Sequence, residues 1–408
     1  MKCGLLGAKL GHSYSPQIHS HLGDYAYCLF EKSSEEIGDF MKNGDFTGLN
    51  VTIPYKSAVI PYCASLSPVA ARLGAVNTIV RQKDGTLSAH NTDYFGFDTM
   101  LRRSRLDVSG KKVLVLGTGG TSKTAVAVLQ DHGAQVVTVS RSGENNYSNL
   151  DRHADASVIV NTTPVGMFPN TGVTPVCLDD FPRLEGVQDV IYNPARTQLL
   201  LDAEKRGIIA MNGLLMLVAQ AKEAAQWFTG EVISDSRIDE IYALLRKQME
   251  NIILIGMPGS GKSTVGQILA ERTGKVFVDA DALIAEKAAC TIPEIFNTQG
   301  ETGFRKIETQ VLKEIGHLSG AVIATGGGCV TREENYSLLH QNGTIFCLER
   351  ELTSLSTDGR PLSQSNPLEE LYRIRKPLYE RFADHQIDNN GVPENAASKI
   401  LTIWEECT

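Results

Sequence analysis

The residues with the clearest chemistry run from Gly256 to Thr264, in the order GMPGSGKST. The spacing G-x-x-x-x-G-K-S/T turns backbone N–H groups onto a polyphosphate, because Gly256, Gly259 and Gly261 accept the conformations such a turn demands. Lys262 is placed to reach the β- and γ-phosphates, and the Ser263 hydroxyl to bind Mg²⁺; Ser260 and Thr264 complete the loop. Asp279 and Asp281 follow, two residues apart, so a continuing strand would point both carboxylates to one side. A second glycine loop lies far upstream: Gly117-Thr118-Gly119-Gly120-Thr121-Ser122, a pattern that suits a dinucleotide pyrophosphate. The next apolar run, Gln135 to Val139, ends in Ser140-Arg141-Ser142. An acidic residue there would bind ribose hydroxyls; an arginine between two hydroxyl residues suits a 2′-phosphate, and so NADP.

Three polar clusters precede these loops. Ser13 and Ser15 stand one residue apart before Pro16, where extended chain would aim both hydroxyls at a ligand and a helix start would use them as caps. Asn50, Thr52 and Pro54 alternate with Val51 and Ile53, as a strand with one polar face, and Lys56 follows at its end. Asn77 lies in Gly74-Ala75-Val76-Asn77-Thr78, and Asn91-Thr92-Asp93 offers either a ligand carboxylate or an Asx turn. His12, His19 and His21 also cluster, but His19 and His21 are two apart on an expected helix and face different ways, which argues against a metal site.

The elements that must position these groups are legible from period and punctuation. Ile252–Ile255 and Lys111–Leu116 are short apolar runs that break at glycine into a loop and then a helix, the strand–loop–helix context both phosphate sites require. Lys275–Val278 and Val322–Ala324 read as further strands, the second running into Gly326-Gly327-Gly328. A chain of 408 residues, 42% hydrophobic and 21% charged, suits two to three globular domains. A net charge of −8 argues against nucleic acid or an anionic membrane surface as partner. Eight dispersed cysteines without a C-x-x-C pair read as reduced thiols. The N-terminus has no signal-peptide pattern and no window is apolar enough to span a membrane, so a cytoplasmic location is expected.

In order, S-x-S-P, N-V-T-x-P-x-K, G-A-V-N-T, N-T-D and G-x-G-G-x-S resemble shikimate dehydrogenase. Asn161-Thr162-Thr163-Pro164-Val165-Gly166-Met167, the Tyr192-Asn193-Pro194 segment and Asn212–Gln220 extend the match. The second half, with its phosphate loop, D-x-D, Phe304-Arg305-x-x-Glu308, the triple glycine, Arg360-Pro361-Leu362 and Arg375-x-Pro377-Leu378-Tyr379, resembles shikimate kinase.

The resemblance implies an α/β architecture. Residues 1–99 would form a substrate domain completed by helices at about 213–246, residues 100–212 a Rossmann-type NADP domain, and residues 250–408 a P-loop domain of the nucleoside-monophosphate-kinase-like kind, with a parallel sheet. It implies NADPH-dependent reduction of 3-dehydroshikimate to shikimate, then phosphorylation of shikimate by ATP and Mg²⁺. Lys56 and Asp93 would serve the reacting oxygen, while Ser13, Ser15, Thr52, Asn77 and Gln220 hold the substrate. Tyr192, Gly213 and Met216 would lie near the nicotinamide. In the second half Asp281 would orient the attacking hydroxyl, Asp279 would hold Mg²⁺ through water, and Arg360 would contact the phosphates. Arg305 and Arg375 would clamp the substrate carboxylate, with Gly327 and Gly328 lining the pocket. Two alternatives stay open: a quinate/shikimate dehydrogenase joined to another small-molecule kinase, and a shikimate sensor whose sites have decayed. Oligomeric state is open.

Overall fold

The computed structural model describes residues 1–11, 13–355 and 368–407. The chain divides into two compact units, Met1–Met167 with Val173–Tyr192 and Leu199–Ala243, and Phe168–Gly172 with Asn193–Gln198 and Leu244–Thr408.

The first unit holds two sheets. One is formed by β1 (Lys2–Gly7), β2 (Ala26–Glu31), β3 (Gly48–Val51), β4 (Ser65–Leu66), β5 (Thr78–Arg81) and β6 (Leu87–His90), in the order β2-β1-β3-β5-β6-β4. β1 pairs parallel with β2 and β3, whereas β5 runs antiparallel to β3 and β6. The other contains β7 (Lys112–Leu116), β8 (Gln135–Val139), β9 (Val158–Asn161), β10 (Gly186–Asp189) and β11 (Ile209–Met211), all parallel, in the order β11-β10-β9-β7-β8. Buried parallel strands have no solvent face, which is why β7 and β9 read as unbroken apolar runs. The chain reverses direction across this sheet at β7, so the crevice beyond the carboxyl ends of β7 and β9 is the switch point where ligands bind in such sheets.

The second unit holds β12 (Asn251–Ile255), β13 (Val276–Asp279), β14 (Ala321–Ala324), β15 (Gly343–Glu349) and β16 (His385–Asp388), parallel and ordered β13-β14-β12-β15-β16. The fully buried β12 sits at the centre, so the loop at its carboxyl end emerges at that sheet's switch point. A capping box at Thr291 and Glu294 starts the helix Ile292–Ile315, which carries Arg305 and Glu308.

Three local expectations are corrected. The strand through Asn50 stops at Val51, and Thr52 and Lys56 lie in the turn beyond it. Ser13 and Ser15 are not extended: Ser15 begins a helix and its N–H donates to Ser13 Oγ at 3.2 Å. Asp279 ends β13 and caps the helix Ala280–Ala288, accepting from the N–H groups of Asp281 and Ala282, so Asp281 sits in a first helical turn and not on a strand. No helix among the described residues is long and apolar enough to cross a membrane.

Candidate active sites

In the first unit Lys56 Nζ lies 2.6 Å from Asp93 Oδ2, both side chains largely shielded from solvent. The Lys56 carbonyl accepts from Val76 N–H at 2.7 Å, which fixes the backbone of this turn against the segment before β5. Asp93 opens the helix Asp93–Ser104, so its carboxylate stands at that helix's N-terminus.

Around this pair is a cavity of about 250 Å³. Ser13, Ser15, Thr52, Asn77 and Gln220 line it on the side of the mixed sheet, and Tyr192, Gly213 and Met216 on the side of the parallel sheet. Every residue expected around the first substrate thus meets in one place.

Asn77 is held by its neighbours. Its Oδ1 accepts from Thr92 N–H at 2.7 Å, and its Nδ2 donates to Thr92 Oγ1 at 3.0 Å and Gln220 Oε1 at 3.5 Å. Asn50, given no ligand role from sequence, also lines the cavity. Tyr27 OH donates to its Oδ1 at 2.8 Å, and its Nδ2 donates to the Asn77 carbonyl and Thr78 Oγ1. Its alternation with buried Leu49 and Val51 was the available signal.

His19 is part of the packing. It stacks on Tyr27 with ring centroids 4.0 Å apart, its Nδ1 is 2.7 Å from Tyr25 OH, and burial pushes its pKa down to about 3. Among the described residues no group of three metal-ligating His, Cys, Asp or Glu occurs, and His12 lies outside them.

A larger cleft of about 900 Å³ adjoins this cavity, with Lys56 and Thr121 in the walls of both. Gly117, Gly119, Gly120, Ser140 and Arg141 line it, together with Lys123 and Tyr147, which sequence reasoning missed. Gly117 has φ +111, and a Cβ there would press on Thr162 Oγ1 at 2.8 Å. At Gly119 a Cβ would meet nothing within 4 Å, so the space beside the loop is open to a ligand. Gly119 precedes the helix Gly120–Asp131 without a side-chain cap, leaving that helix's first amides to be satisfied by a ligand or solvent.

Ser122 has another task than expected. It is buried and donates to the Gly117 carbonyl at 2.6 Å, closing the loop instead of facing the cleft. Ser140 Oγ accepts from Gly143 N–H at 2.7 Å, and Ser142 is exposed on the same turn. Burial raises the Tyr192 hydroxyl pKa, and its ring meets that of Tyr14 edge-on at 6.1 Å. Gly213 permits a backbone crossing: a Cβ there would fall 2.0 Å from the Val190 carbonyl oxygen.

In the second unit the loop after β12 has Gly256, Gly259 and Gly261 at φ +142, +84 and +93, conformations that favour glycine. Lys262 Nζ donates to the carbonyls of Gly256 and Met257, each at 3.0 Å. Ser260 is fully buried, so its side chain lies behind the loop, while Ser263 and Thr264 are exposed at the head of the helix Lys262–Thr273. Ser263 Oγ donates to Asp279 Oδ2 at 2.7 Å, which sets a hydroxyl and a carboxylate side by side next to the loop.

The triple glycine gathers the remaining groups. A Cβ at Gly326 would fall 2.7 Å from Asp281 Oδ1 and 2.8 Å from Glu308 Oε1. At Gly328 it would fall 2.0 Å from Arg305 Nη2, so that guanidinium lies directly over the loop. Arg375 Nη1 donates to the Gly327 carbonyl at 3.0 Å, and Tyr379 OH donates to the same oxygen.

Arg305 pairs with Glu308 at 2.7 Å and Glu301 at 3.2 Å, and its Nε is buried without a hydrogen-bond partner. Burial raises the Glu308 pKa, the adjacent Arg305 opposing it. Glu308 was visible in the sequence only as part of a motif; its task is to hold Arg305. Arg360 lies outside the described residues.

Fold and geometry define a chain with a dinucleotide-binding oxidoreductase centre in one unit and a P-loop phosphotransferase centre in the other. The family model "Shikimate dehydrogenase substrate binding domain" matches residues 5–79, and the model "Shikimate kinase" matches residues 258–405. The NADP(+) shikimate dehydrogenase of Clostridium perfringens strain SM101 is 36% identical over 265 residues, 60% of this chain and 97% of that protein. The crystal structure of shikimate dehydrogenase 1 from Peptoclostridium difficile matches with 37% identity and TM-score 0.56, covering 60% of this chain and 97% of that one. A chorismate mutase/shikimate 5-dehydrogenase fusion protein from Clostridium acetobutylicum matches with 35% identity and TM-score 0.57, over the same shares. The chain belongs to the shikimate dehydrogenase family, and its residues 258–405 match the shikimate kinase model.

Proposed function

We propose that this chain catalyses two consecutive reactions: reduction of 3-dehydroshikimate to shikimate with NADPH, and phosphorylation of shikimate to shikimate 3-phosphate with MgATP. The observation that carries the reading is the meeting of a small polar cavity with the dinucleotide cleft at Lys56, beside Asp93.

The cleft fits the cofactor. Gly119 and Gly120 leave room for a pyrophosphate against uncapped helix amides, and Arg141 supplies a cation in the cleft wall after β8. NADPH supplies the hydride. Reduction of the ketone also needs a proton for the developing alkoxide. Lys56 Nζ donates it, held in one orientation by Asp93 Oδ2. Ser13 and Ser15 receive the substrate carboxylate, while Thr52, Asn77 and Gln220 hold the ring hydroxyls. Asn77 enters this role already braced by Thr92, so little side-chain freedom is lost on binding. Tyr192, Gly213 and Met216 close the cavity on the nicotinamide side.

Phosphoryl transfer is mainly positioning and charge neutralisation. Amides of the Gly256–Ser263 loop and Lys262 hold the phosphates, Ser260 through its backbone alone. Ser263 and Asp279 set two oxygens side by side, hard donors of the kind that would hold Mg²⁺, Ser263 directly and Asp279 through water. Asp281 orients the attacking hydroxyl and takes its proton. Arg305 and Arg375 are both anchored at the triple glycine, where their planar heads bind the substrate carboxylate beside the Gly327 and Gly328 amides. The domain bounds that go with this reading are 1–99 with about 213–246 for the first substrate, 100–212 for NADP and 250–408 for the kinase, although Phe168–Gly172 and Asn193–Gln198 cluster with the second compact unit.

The test is product analysis. Purified full chain given 3-dehydroshikimate, NADPH, ATP and Mg²⁺ should yield shikimate 3-phosphate, with quinate in place of shikimate a poor substrate in the reverse direction. Conversion at neither centre would overturn the proposal.

A further inference from the structure

Beside the phosphate loop of the second unit stands a cation that the mechanism above does not use. β15 is hydrogen-bonded to β12 in register, Ile255 opposite Cys347, so the carboxyl end of β15 comes out next to the loop. Arg350 is the first residue past that strand. Gly261, the last loop residue before Lys262, has φ +93; a Cβ built on it would fall 2.6 Å from Asn389 Nδ2 and 4.0 Å from Arg350 Nη1. Asn389 in turn donates to the Ser260 carbonyl at 2.6 Å, and its N–H donates to the Glu349 carbonyl at 2.8 Å. The loop, Asn389 and the start of the Arg350 segment are therefore tied into one assembly.

Among the described residues the Arg350 guanidinium has no ion-pair partner, and its buried Nε has no hydrogen-bond partner. It lies at the head of the helix Lys262–Thr273, where the macrodipole is already positive and Lys262 adds a further cation. An unpaired cation beside these positive groups is unfavourable by itself and favourable once a polyanion arrives. In the sequence, Arg350 and Arg360 are the two basic residues between β15 and the helix Leu368–Phe382.

We propose that Arg350 is a nucleotide-binding residue of the phosphotransferase centre, contacting the phosphate chain of the nucleotide at Gly261. This rests on the kinase reading above and adds a contact that the loop motif does not contain.

The experiment compares full-length wild type with Arg350→Gln, by calorimetric titration of ADP and by kinetics of ATP-dependent shikimate phosphorylation. R350Q should weaken ADP binding and raise KM for ATP at least tenfold, leaving KM for shikimate within twofold and dehydrogenase turnover unchanged. ADP affinity and ATP KM within twofold of wild type overturn the role of Arg350. If R350Q does not fold, Arg350→Lys replaces it: a three- to tenfold weaker ADP is expected, and unchanged affinity contradicts the proposal. Wild-type chain that fails to phosphorylate shikimate overturns the kinase reading itself, a result distinguishable from an indifferent variant.

Discussion

Lys56 and Asp93 are 37 positions apart in the chain, yet their side chains meet at 2.6 Å, one from the turn after β3 and the other from the first turn of a helix. If Lys56 delivers the proton to the substrate oxygen, Lys56→Ala should lower kcat for reduction by about 10²–10⁴-fold, the usual worth of a positioned acid. Asp93→Asn, which keeps the shape but loosens the ion pair, should reduce it less. Stopped-flow measurement of NADPH oxidation checks both; an unaltered kcat in K56A would remove Lys56 from the proton path.

Gly328 allows Arg305 to lie over the loop, and a methyl group there would come within 2.0 Å of the guanidinium. Gly328→Ala should therefore displace Arg305 and raise KM for shikimate in the kinase reaction at least tenfold, with KM for ATP little changed. Steady-state kinetics with each substrate varied in turn distinguish this from general damage, which would move both constants.

Arg141 is exposed in the wall of the dinucleotide cleft, after β8. Loss of a charge-assisted contact to the 2′-phosphate should raise KM for NADPH roughly 10–100-fold in Arg141→Ala and leave NADH almost unaffected. Equal losses with both cofactors would place the arginine on a part they share.

His19 is buried neutral, with its pKa depressed to about 3 from 6.5. The unfolded chain therefore binds a proton that the folded chain refuses between these values, so stability falls as pH drops from 6.5 towards 3. The slope from this group is up to about 1.4 kcal/mol per pH unit. The urea midpoint for loss of dehydrogenase activity should fall between pH 7 and pH 5 in wild type, and less steeply in His19→Gln. Parallel pH profiles would assign the acid sensitivity elsewhere.

What the sequence made legible followed local rules. The loops after β7 and β12 are contiguous stretches in which strand, glycine and helix signals coincide, so their chemistry could be read without knowing the fold. Alternation alone would carry Thr52 and Asp281 onto continuing strands, but Thr52 lies in a turn and Asp281 in a first helical turn capped by Asp279, and a polar residue that caps looks the same in sequence as one that faces a site. The braces were the least visible. Tyr27 on Asn50, Ser122 closing onto Gly117 and Glu308 under Arg305 reveal themselves only when atoms are close, since a buried polar group must find a partner wherever the fold supplies one.

The most direct test of two separate centres in one chain is a pair of assays on Lys56→Ala and Lys262→Ala. K56A should lose 3-dehydroshikimate reduction and still phosphorylate added shikimate at the wild-type rate. K262A should do the reverse. Loss of both reactions in either folded variant, or retention of both, would contradict the account.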